Sequence, residues 1–192
     1  MGKERLMAMT DGVIAIIITI MVLDLKIPQS ATWDGLAHDW PVFLAYGLSF
    51  VYVAIYWTNH HHYFHLVERV NASLLWANFN LLFWLSLIPF ATGWMGEHGF
   101  APVPTAVYGI ALIMPALAWH ITEAAALRAH TGQSRLHAYG KTGLKTLVSP
   151  LIYAIGIGLS FIADWAALLC YAAVAAIWLV PDRRIEQIVE TA

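Results

Sequence analysis

Arg5-Leu-Met-Ala-Met9-Thr10-Asp11-Gly12-Val-Ile-Ala-Ile16-Ile-Ile-Thr19-Ile20-Met-Val-Leu23-Asp24 decides the fold. The run from Leu6 to Leu25 is long and apolar enough to cross a bilayer core, which takes about 20 such residues. Its pattern is that of a helix with two different sides. At 100° per residue, Ile16, Thr19, Ile20 and Leu23 share one stripe, which Met9 and Arg5 extend toward the N-terminus. Asp11 falls on roughly the opposite side. A carboxylate two turns inside a membrane helix costs roughly 2.5–3.5 kcal/mol unless it finds partners, so Asp11 is expected to face neighbouring helices. The segment does not read as a cleaved signal: Glu4 and Asp11 spoil a basic start, and Lys26-Ile27-Pro28 replaces a small-residue cleavage site.

Outward from this helix, five more apolar segments follow: Trp40–Thr58, Val70–Trp94, Val103–Leu127, Leu144–Ile162 and Trp165–Val180. The expected fold is therefore all-α, a six-transmembrane-helix bundle forming a single domain over residues 1–192. Pro89, Pro115 and Pro150 predict kinks rather than breaks, and Asp164 is a suitable cap for the last span. The composition agrees. Of the 192 residues, 60% are hydrophobic and 11% charged, against about 25% charged in soluble domains. That excludes disorder, a nucleic-acid-binding surface and a water-soluble fold. A single cysteine, Cys170, excludes an internal disulfide framework.

The basic residues give the direction. Lys3, Arg5, Arg69, Arg128, Arg135, Lys141, Lys145, Arg183 and Arg184 all fall on the N-terminal side of the six-span arrangement, and Lys26 falls opposite. By the positive-inside rule both termini are expected in the cytoplasm, with the protein in the cell (inner) membrane.

Polar residues recur at one depth. Trp57 and His60 end the second span, and Asn78 lies about two turns into the third, near the level of Asp11. Carboxylate, indole, imidazole and amide are expected to brace the first three helices and hold the apolar stripe in place. His60, His61, His62 and His65 also allow a metal or haem reading, His61 and His65 having the i,i+4 spacing of a shared ion. Glu68 is their one acidic neighbour. His120 and Glu123 form a second ionisable pair, open either to packing or to a proton relay in a proton-coupled transporter. No Walker loop, nucleophile elbow, HExxH or dinucleotide-binding turn is present, so no enzyme is expected, and no metal or other cofactor is required. Nor is there a TVGYG-like carbonyl filter.

Arg5-x-x-x-Met9-Thr10-Asp11 resembles the Arg-x-x-x-Phe-Ser-Asp signature of the transmembrane protein 175 family, potassium channels of endosomes and lysosomes with prokaryotic relatives. Met9 replaces the aromatic residue and Thr10 the serine. Gly12 to Ile16, Val22 to Pro28, Trp57-Thr-Asn-His60-His61, Leu75-Trp76-Ala-Asn78 and Leu87-Ile-Pro89-Phe90-Ala-Thr92 are also similar to that family. The likeness is specific over the first half of the chain. It implies a potassium-preferring cation channel whose pore is lined by the first helix of each subunit. Family members with two six-helix repeats act as dimers, so one repeat implies a prokaryotic homotetramer. Ile16, Ile20 and Leu23 would form the constriction and Thr19 the selectivity layer. Arg5, Met9, Thr10, Asp11, Trp57, His60 and Asn78 would form the supporting network. K⁺, with other monovalent cations, would be the permeant partner and the lipid bilayer the other.

Overall fold

A computed structural model of the chain describes residues 2–130, 136 and 144–179. The described residues form α1 (Lys3–Leu23), α2 (Trp33–His38), α3 (Trp40–Leu66), α4 (Ala72–Leu85), α5 (Ile88–Glu97), α6 (Pro102–Ala129), α7 (Leu144–Leu159) and α8 (Asp164–Leu179). No strand occurs among them.

Four stretches are long and apolar enough to cross a membrane: Lys3–Leu23, Trp40–Leu66, Ala72–Glu97, which joins α4 and α5, and Pro102–Ala129. The helices α7 and α8 are apolar but only 16 residues each. At 1.5 Å per residue that is about 24 Å, short of a hydrocarbon core of about 30 Å. The four long spans therefore match the expected segments, and α7 and α8 occupy the places of the last two.

Local chemistry sets the helix ends. Asn71 caps α4 by accepting from the Leu74 N–H at 2.8 Å, and Thr32 caps the short α2, which lies in the expected loop. Asp164 opens α8, its carboxylate accepting from the Trp165 N–H at 2.8 Å. Pro115 and Pro150 lie inside continuous helices. At Pro89 the chain does more than kink: a turn at Ser86–Leu87 separates α4 from α5. Proline lacks an N–H and crowds the turn before it, which favours an interruption there.

Two cores result, and α3 and α6 contribute to both. In the first, Leu6, Ile14, Ile17 and Met21 of α1 pack with Leu74, Leu81 and Leu85 of α4 and with Ala118 and Ala126 of α6. In the second, Tyr52, Met95, Tyr108, Tyr153 and Tyr171 join α3, α5, α6, α7 and α8. Lipid is as apolar as these side chains, so close fit and buried hydrogen bonds hold helices together there rather than expulsion from water. Glycine permits that fit at two places: a Cβ on Gly96 would stand 2.9 Å from the Val42 Cα, and one on Gly156 would stand 2.6 Å from the Tyr171 ring.

The ends of the bundle are chemically distinct. At the N-terminal end the Lys3 Nζ donates to the His65 carbonyl at 3.0 Å, and His130 receives the Glu68 and Arg69 N–H groups. At the opposite end Lys26 pairs with Glu97 at 2.6 Å. Arg135, Lys141, Arg183, Arg184 and Val180 lie outside the described residues.

Candidate pore helix and its polar braces

The face of α1 that packs inward carries Leu6, Thr10, Ile14, Ile17 and Met21, all buried. The other face is bare: Ile16 is 58%, Ile20 44% and Leu23 80% exposed, and Thr19 is exposed with them. Among the described residues, then, nothing covers the stripe that sequence periodicity singled out. One flank of that stripe is made of small residues, Ala8, Gly12 and Ala15, also exposed. A side chain added at Gly12 would meet nothing within 4 Å. Within the stripe the Thr19 hydroxyl donates to the Ile16 carbonyl at 2.9 Å. Its proton is thereby engaged on its own helix, and the oxygen lone pairs remain available.

Behind the stripe the expected braces form as two separate units. In the first, the Asn78 Nδ2 donates to the Thr10 Oγ1 at 2.9 Å, and the Asn78 Oδ1 accepts from the His60 Nε2 at 2.9 Å. All three side chains are buried, so α1, α3 and α4 are joined through one amide. His60 is further fixed by stacking on Phe64, ring centroids 4.1 Å apart. In the second unit the Trp57 Nε1–H donates to the Asp11 Oδ1 at 2.9 Å. Asp11 thus faces α3, as its expected cost in lipid requires. Met9 packs against the first core. Arg5 is exposed and lies outside both units.

The histidine cluster divides. His60 points into the core, whereas His61 and His65 lie together on a more exposed face, Nε2 to Nε2 at 3.1 Å. No group of three or more His, Cys, Asp or Glu side chains suited to a metal occurs among the described residues. His120 and Glu123 stand 3.6 Å apart and are partly exposed, and Glu123 also accepts from the Trp119 Nε1–H at 2.9 Å. Trp119 and His120 line a small cavity of about 50 Å³ between α3, α6, α7 and α8.

Two polar features escaped the sequence reading. The Thr92 hydroxyl donates to the Ile88 carbonyl, leaving its oxygen to accept from Ser49, which in turn accepts from Tyr108. This buried chain ties α5, α3 and α6 together beside the α4–α5 turn. His130 clamps the α3–α4 connection, its Nε2 accepting two N–H groups while its Nδ1–H donates to the Ala126 carbonyl at 2.8 Å.

A family model described as the endosomal/lysosomal potassium channel TMEM175 matches residues 5–89, the segment that holds the stripe and both braces. A potassium channel of Chryseobacterium sp. (strain P1-3) is 51% identical over 187 residues, 97% of each chain. The chain belongs to the TMEM175 family. A potassium channel of Chamaesiphon minutus is 33% identical over 175 residues, covering 84% of this chain and 85% of that one. A crystal structure of a lysosomal potassium-selective TMEM175 homologue from the same organism superposes with a TM-score of 0.78. It is 29% identical and covers 92% of this chain and 96% of that one. TMEM175 proteins are potassium channels, not enzymes, and this member is an integral membrane protein with several membrane-spanning helices.

Proposed function

We propose that this TMEM175 channel conducts K⁺ passively through an axial pore formed where α1 of four copies meet. Ile16, Ile20 and Leu23 form the constriction, Thr19 supplies the selectivity layer, and no carbonyl filter takes part. The observation that carries this reading is the bare stripe of α1, which no described helix of its own subunit covers. The small flank of Ala8, Gly12 and Ala15 supports close approach of a second α1, because small residues let helix backbones pack tightly in lipid.

The physics of the gate follows from the side chains. A hydrated cation entering a ring of isoleucines loses water without gaining ligands, so a narrow apolar ring dewets and blocks, and slight widening opens it. Four threonine hydroxyls offer oxygens to an ion that gives up part of its shell. K⁺ is more weakly hydrated than Na⁺, so such a layer favours K⁺ modestly and admits other monovalent cations.

In this reading the whole chain is one domain of six membrane-crossing helices, with α7 and α8 as the last two. It sits in the inner membrane with both termini in the cytoplasm, and it needs no cofactor. Asp11–Trp57 and Thr10–Asn78–His60 hold α1 from behind, with Met9 packed beside them at the N-terminal end. Reversal potentials of the reconstituted protein under opposed K⁺ and Na⁺ gradients test the reading. A potential on the K⁺ side of zero is expected. Flux that saturates and tracks a pH gradient instead would identify a coupled carrier.

A further inference from the structure

Trp57, His61 and His65 recur at every fourth residue of α3, a spacing that stacks side chains along one helical face. Their rings form a column: Trp57 lies on His61 with centroids 5.7 Å apart, and His61 meets His65 edge-on at 4.5 Å. The column is attached to α1 at both ends. Trp57 donates to Asp11, and the His65 carbonyl accepts from Lys3.

In its lower part the two imidazoles share an N–H···N hydrogen bond, Nε2 to Nε2 at 3.1 Å, whose single proton a bound ion would displace. Two nitrogens that share one first-row ion, each about 2.0–2.1 Å from it at tetrahedral or right angles, stand roughly 2.8–3.4 Å apart. The pair is thus spaced as two ligands of one metal. His62 is one position off this face, its ring 5.8 Å from that of His61, and His60 is committed to Asn78. With no third protein ligand among the described residues, water would complete the shell and the ion would exchange freely.

We propose that His61 and His65 form a two-histidine site for a divalent first-row ion such as Zn²⁺, Ni²⁺ or Cu²⁺, and that filling it reduces conduction. Neutral imidazole is a good ligand for all three. An ion joining the two rings fixes the final turns of α3, and with them the attachments to Asp11 and Lys3 that set the position of α1. The binding half of this proposal stands on the geometry alone. The modulation half rests on α1 being the pore helix.

Purified protein in lipid nanodiscs, titrated with Cu²⁺ and read by electron paramagnetic resonance, tests the binding. A two-nitrogen signal is expected for the native chain and for His62→Gln. His61→Gln and His65→Gln should each weaken binding by roughly tenfold or more, since even outer-shell losses cost a metal site that much. A native chain without the two-nitrogen signal, or single variants that keep it, overturns the site. In liposomes, K⁺ flux through the native chain and His62→Gln should fall on adding Ni²⁺ to the N-terminal side, while His65→Gln resists, each compared with its own ion-free flux. Unchanged native flux in a conducting preparation overturns the modulation. A preparation that never conducts fails the pore reading instead, and the resonance signal still decides the site.

Discussion

Asn78 divides one amide between two helices, and its removal would be felt on both. Asn78→Leu leaves the buried His60 N–H and the Thr10 hydroxyl without their partner. Stranding a buried donor costs about 1–3 kcal/mol, so the thermal midpoint of the detergent-solubilised channel should drop clearly. Asn78→Asp keeps the acceptor for His60 and should drop less. Equal midpoints for Asn78→Leu and the native chain would mean that the amide does not hold α1 to α4. Thr19 calls for a different readout. Thr19→Val preserves shape but removes the oxygen, so bi-ionic reversal potentials should move toward zero while expression holds. The partners of Asp11, Trp57, His60 and Asn78 were legible in the sequence because membrane-embedded polar groups must be satisfied, and these lie at similar depth. The division of the brace into two units was not legible, since depth says nothing about azimuth between helices. Ser49 and Thr92 stayed hidden for a related reason: a lone Ser or Thr hydroxyl in an apolar span can satisfy itself on its own backbone, so its presence predicts no partner.

At the scale of an element, α1 carries two opposed apolar faces, and adjacent isoleucines report on them separately. Ile17 is 3% exposed and Ile16 58%. Ile17→Asn puts an amide into the first core and should sharply reduce the yield of folded protein. Ile16→Asn leaves that core intact and should raise K⁺ flux by wetting the proposed constriction. A folded Ile16→Asn channel with native flux would remove Ile16 from the gate. The periodicity of 3.6 made both faces readable, but it could not say which one the subunit keeps for itself; Asp11 supplied that. The α4–α5 interruption was only half readable. Pro89 marks its place, yet whether a membrane proline bends or breaks its helix depends on what receives the freed groups. Here the Leu87 N–H shifts to the Trp84 carbonyl, and the Ser86 hydroxyl takes the Phe83 carbonyl that this leaves.

For the whole molecule, hydropathy and family likeness agree on a membrane bundle, and charge placement fixes its expected direction. Lys26 and Glu97 neutralise each other at one end, while the described Lys3 and Arg69 lie at the other. The assembly itself is a prediction about mass. Native mass spectrometry should find four times the 21.3 kDa chain, and a protein that conducts K⁺ as a monomer would refute the axial pore. Packing tolerance offers an independent check, because Gly156→Leu drives a side chain into Tyr171 and should destabilise every subunit before assembly begins. Thr19 has a further consequence during biogenesis. In the proposed tetramer a newly inserted subunit would wait among acyl chains until three others arrive, and an unattached hydroxyl there would invite wrong partners. Because Thr19 is already bonded to its own helix turn, such a subunit would be chemically quiet while it diffuses, and in that reading its oxygen would become a ligand only once its companions have displaced the lipid.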